Sequence, residues 1–151
     1  MALRNIVQEG DETLRKKCFE VTAFDEKLHT LLNDMMDTVK KAQGAGLAAP
    51  QVGVLRRVFV VDVDEGYFEF INPVIVSAKG TQIGKEGCLS VKGKWGEVVR
   101  PNKVVIKAQN RYGEKFTLTA KDFFARAICH EYDHLDGILY IDKATNIEIE
   151  G

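Results

Sequence analysis

His130-Glu131-Tyr132-Asp133-His134 sets two imidazoles four residues apart, with a carboxylate directly after the first. On a helix, residues i and i+4 share a face, so His130 and His134 can grip one ion. At about 100° per residue Glu131 falls roughly 60° round from His134, flanking the ion, where it can act as base toward a water held there. By composition alone the pattern arises in on the order of one chain in a few hundred, and two unrelated histidines on a surface helix would produce it too. A third ligand and an oxyanion donor are what would turn it into a catalytic centre.

Three cysteines and many carboxylates could supply the third ligand. Cys129 points about 100° away from His130 on the same helix and reads as a small packing residue. Cys18 falls within a short helix expected over about 12–19, with no polar companion, and also reads as packing. Cys88 lies in Glu86-Gly87-Cys88-Leu89-Ser90, ahead of the glycine-rich Gly93-Lys94-Trp95-Gly96 loop. A segment flexed by glycine can bring a thiolate and backbone N–H groups to one point. A free core cysteine is the alternative. Gly44-Ala45-Gly46-Leu47-Ala48-Ala49-Pro50-Gln51 is no phosphate loop, since no Gly-Lys-Ser/Thr follows. Its small residues admit a close neighbour and Pro50 stiffens the presentation of Gln51, although a tight helix-to-strand connection fits equally well.

The elements that must hold these groups read as follows. A helix is expected from about Asp25 to Gln43, with Leu28, Leu31, Leu32, Met35, Met36 and Val39 on one stripe and Gly44 as its stop. Strands are expected at Arg57–Val63 and Tyr67–Ile71, a break at Asn72-Pro73, and further strands at Val74–Ala78, Val98–Val99, Val104–Ala108 and Lys115–Leu118. The last two flank an Asn110-Arg111-Tyr112-Gly113 hairpin loop. Thr119 and Asp122 resemble a capping box for the histidine helix, which Gly137 closes. The sum is an α+β fold of mostly antiparallel strands packed around a central metal-binding helix.

At 151 residues, 45% hydrophobic and 28% charged, the chain reads as one soluble globular domain over 1–151. A net charge of −1 argues against a nucleic-acid surface. No apolar run reaches the roughly 18 residues of a membrane span, and the N-terminal stretch lacks the apolar core of a signal peptide. Three widely spaced cysteines fit a reducing compartment. A cytoplasmic location is expected.

The three motifs, in this order, resemble those of the peptide deformylases: Gly44 to Gln51, Glu86 to Ser90, and His130 to His134. The resemblance extends to Leu14-Arg15-Lys16-Lys17 and Asn72-Pro73. It implies that Cys88, His130 and His134 bind one divalent metal, Fe(II) in the cell, replaceable by zinc, nickel or cobalt. It makes Glu131 the general base and then acid, Gln51 and the Leu89 N–H the oxyanion donors, and Glu86 with Arg100 a pair that holds the cysteine loop. The substrates it implies are nascent peptides beginning with formyl-methionine. Relatives with a longer C-terminal helix also dock on the ribosome near the exit tunnel; the short tail here leaves that partner open. Lys92, Cys129 and Gln43 stand where the family often has proline, glutamine and an acid, departures that touch loops rather than ligands.

Phe123, Arg126 and Ala127 fall within about 60° of the direction of His130, one or two turns earlier. They are expected to wall the methionine pocket, the stem of Arg126 included, with Gly46 contacting substrate backbone. Plain core packing is the alternative for Phe123 and Ala127, and Asp133 is either a support for a ligand or a solvated carboxylate. Two rival readings are a zinc endopeptidase drawing on Asp142 or Glu148, and a closed structural metal site with a fourth protein ligand.

Overall fold

The computed structural model describes residues 2–150; Met1 and Gly151 lie outside the described residues. Its centre is the valine-rich strand Val58–Val63 (β2), whose Val58 to Val61 are fully buried on both faces. Two helices explain that double burial. Helix α1 (Glu26–Lys41) packs Leu28, Leu31, Leu32, Met35 and Val39 against Val58, Val60 and Ile71. Helix α2 (Asp122–His134) packs Phe124, Ala125 and Ile128 against Phe59, Val61, Phe70, Val104 and Ile106. Successive strand residues face opposite ways, so one strand serves both helices.

β2 belongs to a five-stranded sheet with β1 (Gly46–Ala48), β3 (Gly66–Lys79), β6 (Lys103–Gln109) and β7 (Lys115–Lys121), in the order β1-β2-β3-β6-β7. A second sheet, β4-β5-β8, joins Gln82–Cys88 (β4), Val91–Arg100 (β5) and Thr145–Ile149 (β8). Every pairing between these strands is antiparallel. The α+β class with strands around the histidine helix agrees with the sequence.

Several expectations need correction. The helix over 12–19 is only a 3-10 turn, Glu12–Arg15, capped by Asp11 accepting from the Thr13 N–H. Beyond it the chain is extended: the Cys18 N–H donates to Leu135 O at 2.9 Å, so Cys18 is buried outside any helix. α1 stops at Lys41, and Gln43 rather than Gly44 takes the left-handed turn, with φ of 55°. Asn72-Pro73 bulges β3 without ending it. Asn72 sits at φ 51° and its side chain ties to both backbone groups of Val21 at 2.8 and 2.9 Å.

Thr119 lies inside β7, and Lys121 precedes α2 with no side-chain cap. The strand runs straight into the helix, leaving no loop in which a capping box could form. The Gly93-Lys94-Trp95-Gly96 stretch read as a loop lies within β5, and β4 and β8 were not expected.

The α1 stripe sets a stability expectation. Leu32 is fully buried between α1 and β2, so Leu32→Ala removes its packing and leaves a cavity. A loss of about 2–5 kcal/mol is expected in urea unfolding, with little change in m.

Candidate active site

α2 and the end of β4 bring the chemistry together. His130, Glu131 and His134 are buried, on the side of α2 that meets Cys88 at the last position of β4. One ligand atom each from Cys88, His130 and His134 lie within 4.8 Å of one another. Cys88 Sγ stands 3.5 Å from His134 Nε2. A tetrahedral ion with N and S bonds near 2.0 and 2.3 Å separates those donors by about 3.5 Å. The donor set therefore fits such an ion. His130 Nδ1 lies 2.8 Å from Glu86 Oε1, which leaves its Nε2 toward the site, and the Tyr140 ring stacks on the imidazole at 5.9 Å.

Gln51 is set by the 3-10 turn Ala49–Val52. Its Oε1 accepts from the Ala48 N–H at 2.9 Å, which fixes the amide so that Nε2 points to Ser90 Oγ at 3.0 Å and Cys88 Sγ at 3.5 Å. Glu131 Oε1, by contrast, is buried with no hydrogen-bond partner. Gly46 backs this carboxylate closely: a Cβ there would stand 2.6 Å from Glu131 Oε2 and 2.8 Å from its Cγ.

A family model described as polypeptide deformylase matches residues 3–150. The chain belongs to the polypeptide deformylase family. It is similar to the peptide deformylase of Caldicellulosiruptor bescii, 57% identical over 143 residues, which cover 95% of this chain and 86% of that protein. That of Clostridium botulinum is 54% identical over 145 residues, 96% of this chain and 99% of the other. Among solved structures, the Thermotoga maritima peptide deformylase superposes with a TM-score of 0.93 at 40% identity, over 95% of this chain and 98% of that one. The Synechococcus elongatus peptide deformylase, solved in complex with actinonin, gives 0.91 at 35% identity over 95% and 79%.

Cys88 and His130 open onto a cavity of about 440 Å³. Gly46, Gln51, Leu89, Phe123, Arg126 and Ala127 all line it. Phe123 is more than half exposed at its mouth, whereas Ala127 and Arg126 are buried. The Arg126 guanidinium does more than form a wall: its Nη1 lies 2.5 Å from Glu86 Oε2. Glu86 also receives Arg100 through two arms, each at 3.0 Å. Asp133 accepts from Arg100 at 2.7 Å and from Lys143 at 2.9 Å, so it holds the arginine and is not a solvated helix carboxylate.

The rival ligands lie elsewhere. Asp142 pairs with Arg15 at 2.6 Å and the exposed Glu148 with Lys85 at 3.1 Å. Cys18 and Cys129 are buried in the core between α2 and the five-stranded sheet. Sequence reasoning missed the Glu86–His130 bond, the Arg126 pairing, Ser90 and Tyr140. Had β4 been read as a strand, Glu86 and Cys88, two residues apart, would have stood out as facing the same site.

Burial and neighbouring charge shape the protonation of these side chains. Burial works against a charge on His130, yet Glu131, Cys88 and Glu86 outweigh it and lift that imidazole to about 10. Burial, together with the charge on His130, holds His134 well below its ordinary value. Burial pushes the Glu131 carboxyl up to about 7 against the pull of His130. For Glu86 burial is overcome by His130 and Arg100, which draw it down to about 2. The centre thus favours positive charge between Cys88, His130 and Glu131, and a bound cation would replace the proton there.

Gly46→Ala tests the packing behind Glu131. The carboxylate must shift to admit a methyl group, and an expected 1 Å misplacement costs about 10²-fold in kcat, read beside an unchanged metal content.

Proposed function

We propose that Cys88, His130 and His134 hold one divalent metal ion, with Glu131, Gln51 and the Leu89 N–H acting around it. The enzyme is a metal-dependent hydrolase that removes the N-formyl group from the N-terminal methionine of newly made proteins and releases formate. The observation that carries the assignment of roles is the pairing of a Cys-His-His donor set with one buried carboxylate whose Oε1 has no partner. Fe(II) is the ion proposed in the cell, with zinc, nickel or cobalt as substitutes.

When bound, the ion supplies Lewis acidity and lowers the pKa of water. Glu131 takes the proton of the attacking water on its unpartnered Oε1 as the oxygen bonds to the formyl carbon. Negative charge then grows on the formyl oxygen. Gln51 Nε2, fixed through Oε1, and the Leu89 N–H donate to it; removing one such donor typically costs about 10²–10³ in kcat. Glu131 returns its proton to the leaving nitrogen as the C–N bond breaks. The new products are formate and the free α-amine. Phe123, Ala127 and the stem of Arg126 form the wall for the methionine side chain, and Gly46 meets the substrate backbone.

Residues 1–151 work as one catalytic domain in this reading. No helix among the described residues is long and apolar enough to cross a membrane. The proposed setting is the cytoplasm, where substrate is met as chains leave the ribosomal exit tunnel. The test is formate release from a formyl-Met peptide by anaerobically prepared Fe(II) protein, beside the acetyl-Met peptide as control. Release from the formyl peptide alone is expected; none at full metal occupancy would overturn the reading.

A further inference from the structure

The Glu86 carboxylate is paired more heavily than its charge requires. Arg100 alone gives it a two-armed pairing, Nε to Oε2 and Nη2 to Oε1, each at 3.0 Å. His130 Nδ1 takes Oε1 at 2.8 Å. Arg126 then adds a second guanidinium at Oε2, and Glu86 and its three partners are sealed: Glu86 is 6% exposed, Arg100 2%, Arg126 5% and His130 8%. Burying a cation is costly unless its pairing is good.

Arg126 is not even fully paired. Its Nη1 also donates to Val98 O at 3.1 Å, but its Nη2 is buried with no partner. β4 is bare above that arm: a Cβ on Gly84 would stand 2.9 Å from Nη2 and 3.0 Å from Cζ. The guanidinium therefore lies against the Gly84 backbone, wedged between β4 and α2. A pocket wall needs only the stem. Leucine would supply that without a buried charge and an unsatisfied arm.

We infer that Arg126 is a positioning residue for the metal site, acting through Glu86 on His130. By clamping Oε2 it keeps Oε1 aimed at His130 Nδ1, which fixes the rotation of the ring and so the direction of Nε2. Arg126 and His130 are one turn apart on α2, so clamp and ligand share a rigid support. Gly84 is the residue that lets the clamp fit. The inference rests on the proposed reading of His130 as a ligand.

The experiment compares Co(II) affinity, by competition with a chelator, and the visible Co(II) spectrum in the parent, Arg126→Leu, Gly84→Ala and Cys88→Ala proteins. Arg126→Leu is expected to weaken Co(II) binding about 10–100-fold, the usual effect of losing a ligand's outer support, and to shift the visible bands. Gly84→Ala changes no charge but displaces the guanidinium, and a loss at the low end of that range, about 10-fold, is expected. A folded Arg126→Leu protein with parent affinity and spectrum, altered only in KM for a formyl-Met peptide, would reduce Arg126 to a wall. Should that variant not fold, unchanged affinity and spectrum in Gly84→Ala would overturn the inference instead. A parent that binds no Co(II) would sink the metal reading itself, and a Cys88→Ala protein that binds it equally well would remove Cys88 from the proposed ligand set.

Discussion

Glu131→Gln is expected to keep its metal and lose about 10²–10⁴-fold in kcat, the range supplied by a well-placed general base. The amide preserves size and shape inside a buried site, and none of the three proposed ligands is altered. What it removes is the lone pair proposed to take the proton: Oε1 of Glu131 has no hydrogen-bond partner among the described residues, so none of them competes for it. An amide cannot accept and return a proton near neutral pH, and the loss amounts to about 3–5 kcal/mol of transition-state stabilisation. The check is kcat for formate release at matched metal content by elemental analysis. Activity within threefold of the parent would remove Glu131 from the proposed mechanism.

Cys88→Ala is expected to empty the site. It takes away the thiolate and leaves two imidazoles, one of which, His134, faces the lost sulfur at 3.5 Å. Losing a ligand's outer support costs about 10–100-fold in affinity, so losing the ligand itself should exceed about 100-fold. Cys88 ends β4 whereas the histidines ride on α2, so an ion held by the proposed ligands would also tie the three-stranded sheet to the helix. An ion held at 1,000 times its dissociation constant adds about 4 kcal/mol to stability. Chelation should therefore lower the melting temperature and abolish activity in the parent, with both restored by added metal. In Cys88→Ala chelation should change neither. Stoichiometric metal in that variant would point to another third ligand.

The sequence made some of this legible and hid the rest for physical reasons. α1 and β2 were readable because one shows helical spacing and the other an unbroken valine-rich run, each dictated by what it buries. The spacing of His130, Glu131 and His134 was readable because helix geometry is local. β4 and the first half of β5 were not, although Val98–Val99 of β5 was read as strand, since glycines at 84, 87, 93 and 96 mimic a loop in a hairpin whose partner residues decide its pairing. β8 is only five residues, all exposed, so the alternation of Ile147 and Ile149 with Asn146 and Glu148 is too short to stand out. The second role of Arg126 was hidden too. Helical spacing places it on the face toward the pocket, but only the arrival of β4 turns its guanidinium onto Glu86.

The burial of the cysteines reaches beyond packing. Cys18 and Cys129 are each 7% exposed, and burial lifts both thiols to about 11, so near neutral pH only about 10⁻⁴ of either is thiolate. Cys88 alone lies on the wall of the open cavity. Toward an alkylating reagent or peroxide, a chain with three sulfhydryls thus behaves as a chain with one. Counting modified sulfurs would count spent active sites, and any compound that fills the cavity would reveal itself by slowing that chemistry.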